Sequence, residues 1–511
     1  MPPALVPVLP DVDIVPPSAD QVGRLLADRP PGSAAYAALI PPGDASEWHA
    51  HIANVLAAVV PDAASLIETY DAPTAGAPTV IALPTGPLAC LILVVADAAA
   101  PGRVRLAAAS AARLAVGERA GDAVRLLVLD AGALDQEAVD AAALVEGALL
   151  GPAKPVRWSA DGPRVESDPM ALALLGEHDP VAVVRGREAV RATATARAYA
   201  NAPSNIKNPG WLADEARAIG RASGLRVKVW DEGALVREGF GGLIAVGQGS
   251  RTPPRLVQLS YTPAGATGPP VVLVGKGITF DTGGINVKPS AAMTMMKTDM
   301  SGAAIVLSVL ASCRALGIRR PVIGLMALAE NAIGGGAYRP SDVITAYGGT
   351  TVEIGNTDAE GRIVLADALA YAAAKLDPAA VIDIATLTGA ARIALGSGLA
   401  ASYGSDAGLH ARVRAAFADA GEPLWEMPLI EDYRPALDSA VADLSHIGPL
   451  GGGPGAGSII AALFLREFTA GLPWVHLDIA GTGRSEADTG ILAKGATGYG
   501  ARGLLRWLAE E

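Results

Sequence analysis

The residues able to do chemistry concentrate in two stretches. In VVLVGKGITFDTGGINVKPS and the following MTMMKTDMSGAA, Lys276, Asp281, Lys288 and Asp299 fall within twenty-four residues. In GNTDAEGRIVLADAL, residues 355–369, Asn356, Thr357, Asp358, Glu360 and Arg362 fall within seven. Ile363, Leu365, Ala366, Leu369 and Ala370 follow at helical spacing, which puts the polar cluster at the amino end of a helix. Carboxylates there have an ordinary use, satisfying free N–H groups and complementing the helix dipole. Lysines and aspartates together have one as well, a salt-bridge network. A sharper reading joins the two stretches. Asp281, Asp299, Asp358 and Glu360 put four carboxylates on two loops, and four clustered carboxylates cannot all remain ionised without cations. Shared carboxylates are how two-metal hydrolases hold divalent ions about 3.5–4 Å apart. Spacing alone leaves these readings open.

The elements that must position these groups are of α/β type. Residues 271–274 are a β-branched apolar run, expected as a buried central strand. Lys276 and Asp281 leave its carboxyl end, where open α/β sheets form ligand sites. A helix over about 302–316 closes the unit. Further strands are expected at 226–230, 255–260, 380–387 and 475–479. Helices are expected at 187–199, after Asn208-Pro209, and at 459–468 and 503–510. The glycine-rich segment 239–249 lacks the strand-GxGxxG-helix context of a dinucleotide site and is expected as a loop. Upstream, apolar runs at 79–83, 90–96 and 124–129 alternate with helical patterns at 106–120 and 136–150. The residues 151–155 and the polar stretch 159–169 read as a boundary. The expectation is an α/β protein of two domains: a smaller N-terminal α/β domain over 1–155, a linker over 156–186, and a catalytic domain over 187–511 whose mixed central sheet is sandwiched by helices.

Composition narrows the function. At 511 residues and 51% apolar, the chain can bury a large core. A net charge of −12 argues against a surface built for nucleic acid or anionic membrane and favours small-molecule or peptide chemistry. Cys90 and Cys313 lack metal-type spacing, so neither a disulfide framework nor a cysteine zinc site is expected. The longest apolar run, 87–96, is too short to span a bilayer. The proline-rich, acidic amino terminus does not read as a secretory signal, so a cytoplasmic protein is expected. His49 and His51 have no carboxylate or cysteine at ligand spacing and are expected as plain surface residues.

GKGITFDTGG, KPS, MKTDMSGAA, ENAIGGGAYRPSD (330–342), NTDAEGR (356–362) and ATLTGA (385–390) together resemble the leucyl aminopeptidases, a family of dinuclear metallo-exopeptidases. NAPSN (201–205), WVHLDIAGT (474–482) and GATG (495–498) add to the resemblance, which covers residues 187–511. In the first 185 residues it amounts to similar length and α/β character. The resemblance implies that Lys276, Asp281, Asp299 and Glu360 bind a tighter metal and that Asp281, Asp358 and Glu360 bind a more exchangeable one, with Asp281 and Glu360 bridging. The metals would be zinc or manganese, with magnesium a further option. Lys276 would ligate as the neutral amine. Lys288 is similar to the family's catalytic lysine, which polarises the scissile carbonyl and stabilises the oxyanion. Arg362 is similar to the residue that holds a bicarbonate ion serving as general base.

The resemblance further implies a substrate whose free α-amine binds the exchangeable metal, hence peptides with a free amino terminus, leucine and other apolar residues being preferred there. Met296, Thr386 and Gly389 would form the apolar pocket, with Asn356 and Leu387 supporting the site. His446 and His476 would have structural roles. A homohexamer, built as a dimer of trimers, is implied too. Cys-Gly dipeptide hydrolysis and a DNA-binding architectural role are alternatives known within the family; the net charge weighs against the second. Departures are Thr282 in place of serine, Gly355 in place of leucine, and His446 with the glycine run 448–457.

Overall fold

Two parallel-cored sheets, one behind each half of the chain, organise the molecule. The computed structural model describes residues 5–7, 9–42, 46–69, 77–83, 85–117, 124–159, 162–164, 170–448 and 455–511. Most of the glycine run 448–457, parts of the 159–169 stretch and residues 118–120 of the expected 106–120 helix lie outside the described residues.

The N-terminal sheet has six strands in the order Val12–Val15, Ala171–Leu175, Leu126–Asp130, Ala34–Ile40, Leu88–Val95, Thr79–Ala82. All neighbours are parallel except the edge strand Thr79–Ala82. Ala34–Ile40, buried at every position, is central. Its alanine-rich sequence carries little β-propensity, so nothing in its pattern announces a strand. The expected linker 156–186 contributes Ala171–Leu175 to this sheet and, from Pro180, the first turns of a helix that runs to Asn201. Asp179 caps that helix by accepting from the Val181 N–H, ahead of Pro180.

The second sheet has eight strands, Leu424–Glu426, Ala400–Gly404, Trp474–Asp478, Ala380–Ala385, Val271–Asp281, Val322–Asn331, Arg255–Tyr261 and Arg226–Trp230 in spatial order. Its middle, from Trp474–Asp478 to Val322–Asn331, is parallel, and antiparallel pairs flank it on either side. The fold is therefore mixed α/β, with helices on both faces of a central sheet. Val271–Asp281 is buried along nearly its whole length, as a parallel strand covered on both faces must be. On one face the helix Ser301–Ser312 packs unusually close: a Cβ on Gly275 would lie 2.5 Å from the Gly302 carbonyl oxygen, and one on Gly302 would lie 2.1 Å from that of Ile384. On the other face lies the helix Glu360–Lys375.

The segment 239–249, expected as a loop, contains the helix Gly241–Gly247. Its start is held from a distance in sequence. Buried Asp367 accepts from the Leu243 N–H through Oδ2 and from the Tyr347 N–H through Oδ1, each at 2.8 Å. Burial pushes this carboxyl up to about 7, against the pull of its N–H donors.

The two halves meet through buried charge. Arg105, on the helix Pro101–Ala115, pairs with Glu146 at 2.6 Å, and Arg502, on the helix Ala501–Glu510, reaches both Glu146 and Glu422 at 3.3 Å. Arg113 donates to the Gly490 and Leu492 carbonyls at 2.9 and 2.7 Å. Ile491 enters the N-terminal core. Among the described residues no helix is long and apolar enough to cross a membrane.

His51, expected at the surface without a partner, instead faces Asp130 at 3.0 Å, and Tyr36 donates to the same carboxylate. Asp130 closes a strand far along the chain, so sequence spacing could not reveal the pair.

Replacing Asp367 by alanine leaves two buried N–H groups without acceptors, a loss of about 1–3 kcal/mol each. The variant is expected to melt several degrees below the parent in a thermal scan; an unchanged melting temperature would remove Asp367 from the account of the Gly241–Gly247 helix.

Candidate active site

The carboxyl end of Val271–Asp281 and the amino end of Glu360–Lys375 open into one cavity of about 1150 Å³. Lys276, Asp281, Lys288, Asp299, Asp358, Glu360 and Arg362 all line it. The two sequence stretches are thus brought together. Met296, Thr386, Leu387 and Gly389 line the same cavity. Asn356 does not; its Oδ1 accepts from the Asp358 N–H at 2.9 Å and so shapes the loop carrying that carboxylate.

Two ion-paired groups make up the centre. Lys276, 3% exposed, sits 2.9 Å from Asp299 and from Glu360 and donates to the Thr386 carbonyl. The room for its amine comes from Gly361, where a Cβ would lie 2.5 Å from Lys276 Cε. Lys288 is 2.8 Å from Asp281 and also contacts Asp358. Burial lowers the Lys276 pKa, but Asp299, Glu360 and Asp281 outweigh it and the net shift is upward. The same balance, with Asp281 and Glu360 opposing burial, raises Lys288. Burial pushes the Asp299 carboxyl up to about 8, Lys276 opposing and Glu360 reinforcing. Asp281 is raised as well, by burial and then by Glu360.

Asp281, Asp358 and Glu360 each offer a carboxylate oxygen, and these lie within 4.8 Å of one another. Glu360 is 1% exposed, and its Oε2 makes no hydrogen bond among the described residues. A buried carboxylate oxygen left without a donor is costly unless a cation meets it. The donor set, carboxylates with one amine, suits a divalent ion. Asp299 is not in the close trio; Lys276, 2.9 Å from each, links it to Glu360.

Several supporting roles were not read from sequence; Asn331, Thr357, Asp478 and Thr386 sit inside the motifs quoted above, and Lys207 outside them. Asn331 donates from Nδ2 to Asp281 Oδ1 at 2.8 Å and to the Thr357 carbonyl at 3.0 Å. Thr357 Oγ1 donates to the Gly283 carbonyl at 2.7 Å, tying the two ligand loops together. Asp478 accepts from the Leu387 and Thr388 N–H groups and from Thr388 Oγ1, fixing the wall beside Asp299. Thr386 Oγ1 lies 2.7 Å from Asp299 Oδ1. Lys207, fully buried, donates to the Ala200 and Lys297 carbonyls and so braces the turn before Asp299.

Both site histidines face inward. His446 Nε2 is 2.9 Å from the Asn356 carbonyl, its own carbonyl accepts from Arg362 Nη1 at 2.9 Å, and burial pulls its pKa down to about 4. His476 is paired with buried Asp383 at 2.5 Å. At Gly355 the space is filled: a Cβ there would fall 2.8 Å from the Ile447 side chain.

Buried lysines and carboxylates thus converge at the strand ends of a parallel-cored α/β sheet, and the relatives supply the class. Residues 194–505 match the catalytic domain of the cytosol aminopeptidase family. A probable cytosol aminopeptidase of Desulfovibrio desulfuricans is 48% identical over 342 residues, 66% of this chain and 68% of the relative. One of Streptomyces coelicolor is 40% identical over 476 residues, 87% and 89% respectively. The bottromycin maturation enzyme BotP, solved in complex with Mn, superposes with a TM-score of 0.80 at 34% identity, covering 94% of this chain and 99% of its own. The chain belongs to the cytosol aminopeptidase family and is an aminopeptidase, a hydrolase acting on peptides.

Asn331→Ala removes the donor that orients Asp281. It is expected to weaken divalent-metal binding about 10–100-fold, measured by equilibrium dialysis; unchanged affinity would mean that the Asp281 carboxylate does not serve the metal.

Proposed function

We propose that this cavity is the centre of a two-metal exopeptidase that removes leucine and other apolar residues from the amino termini of short peptides. The observation that carries the reading is the convergence of four carboxylates on one cavity wall, three of them close enough to share an ion. Lys276, Asp281, Asp299 and Glu360 hold one divalent ion and Asp281, Asp358 and Glu360 the second, zinc or manganese, with magnesium as a further option; the manganese bound to BotP supports this class. Such ions, when bound, supply Lewis acidity and a nucleophile at neutral pH. Lys276 takes part as the neutral amine, so its proton leaves on metal uptake.

The remaining steps belong to the chain's own side chains. Lys288, kept charged by its carboxylate neighbours, donates to the scissile carbonyl oxygen and stabilises the charge that develops there. Arg362, in the first turn of its helix, would hold a bicarbonate ion, which would supply a general base there. Met296, Thr386, Leu387 and Gly389 form the wall for an apolar side chain, and Asn356 sets the Asp358 loop. The domain boundaries near 155 and 187, a homohexamer and a cytoplasmic location complete the proposal; the last two rest on family resemblance.

Hydrolysis of a leucine chromogenic amide tests the reading. Chelation is expected to abolish it, and zinc or manganese to restore it; no hydrolysis under any added metal would overturn it. Glu360→Ala is expected to lose turnover and metal together, whereas full turnover in that variant would break the bridging assignment. Lys288→Ala is expected to lower kcat by about 10²–10³-fold with metal content intact; metal loss would make Lys288 a ligand instead.

A further inference from the structure

The cavity extends well past the carboxylates. Besides the cluster's lysines its wall carries Arg105, Arg362, Arg392, Arg484 and Arg502, and one further carboxylate, Glu486. On a chain of net charge −12 arginine is thus unusually frequent on this wall.

Four of these arginines are committed. Arg105 and Arg502 are paired with Glu146 and Glu422, Arg362 donates to the His446 carbonyl, and Arg392 lies 3.8 Å from Glu486. Arg484 is different. It is half-buried, its Nε is enclosed, and that nitrogen makes no hydrogen bond among the described residues. Its backbone is held in place, paired with Ala496, whose N–H donates to Asn201 Oδ1 at 3.0 Å. A guanidinium stays charged throughout the working pH range and presents a planar fork matched to a carboxylate.

Its position relates it to the reacting end. The preceding residue, Gly483, packs against Thr386, a Cβ there falling 3.2 Å from Thr386 Cγ2, and Thr386 bonds Asp299. Arg484 therefore stands two contacts from the carboxylate cluster. Arg484 and the cluster line one cavity of about 1150 Å³, and a dipeptide or tripeptide, at about 3.3–3.6 Å per extended residue, is a ligand of a size to lie in it.

We propose that Arg484 binds the free α-carboxylate of a short peptide whose amino end occupies the carboxylate cluster, making the enzyme selective for di- and tripeptide free acids. This rests on the aminopeptidase reading and deepens it. The amino end is recognised by the cluster and the carboxyl end by Arg484. Peptides whose carboxyl end is blocked, or lies too far away to reach the arginine, lose the second contact.

The test compares Leu-Gly and Leu-Gly-Gly as free acids with the same peptides as C-terminal amides, on the metal-loaded enzyme, by chromatographic release of leucine. The free acids are expected to show kcat/KM higher by about 10–100-fold, the range for a charge-assisted hydrogen bond, chiefly through KM. Arg484→Gln is expected to bring acid and amide within about twofold of each other, and Arg484→Lys, which keeps charge without the fork, to retain part of the preference. Equal rates for acid and amide in the parent would overturn the proposal. So would an Arg484→Gln variant that slowed both alike and preserved their ratio, since that is the mark of structural damage. If the parent cleaves neither acid nor amide, the aminopeptidase reading itself fails.

Discussion

Four carboxylates share one cavity wall, three of them buried and Asp358 half-buried, and the rest of the catalytic half is arranged around that fact. Asp281, Asp299 and Glu360 are each at most 6% exposed. Burial first, and neighbouring carboxylates with it, raise the Asp281 and Asp299 pKa values. Lys276 and Lys288 offset part of the charge, but two lysines against four carboxylates leave the wall under-neutralised. Glu360 Oε2, enclosed and without a hydrogen-bond donor, is where the deficit is most visible. A wall of this kind is completed by protons or by cations, so a place for divalent ions is consistent with packing as well as with family.

Holding such a wall together requires rigid attachment. Parallel strands present their carboxyl ends side by side, and Lys276 and Asp281 leave one of them. Asn331, at the end of the neighbouring strand Val322–Asn331, reaches across to Asp281 and to the Thr357 backbone. The contact of Gly302 with the Ile384 carbonyl brings the helix after Asp299 onto the sheet. Gly361 leaves space for the lysine that pairs with Asp299 and Glu360. Each removes slack from a group whose charge would otherwise be relieved by moving towards solvent.

Legibility from sequence followed the range of the interaction. The strand end carrying Lys276 and Asp281 and the helix start carrying Glu360 and Arg362 were readable because β-branched runs and helical periodicity are local signals. The helix Gly241–Gly247 was not, since its start is satisfied by Asp367, more than a hundred residues away. Ala34–Ile40 was hidden by alanine, and Ala171–Leu175 by an assignment of its neighbourhood to a linker. Asn331, Thr357 and Asp478 lay inside recognisable motifs, yet their functions as supports depend on which loops meet, and that appears only in three dimensions. Arg484 was invisible for the same reason: a lone arginine in a polar stretch acquires meaning only from the cavity it faces.

The N-terminal half bears on catalysis through that cavity. Its helix Pro101–Ala115 lends Gly102, Arg105 and Leu106 to the wall, while Arg113 holds the carbonyls of Gly490 and Leu492. The segment 480–492, which includes Arg484, is therefore bounded on one side by the catalytic sheet and on the other by the N-terminal layer. Leu106 is 52% exposed, a large apolar side chain left uncovered on the cavity wall, where a peptide could cover it. Shape at the far end of the cavity thus depends on an N-terminal layer that carries none of the four clustered carboxylates. Changes in that layer can alter which peptides fit without touching the chemistry, because the cluster is braced by its own sheet and the far wall is braced by its neighbour.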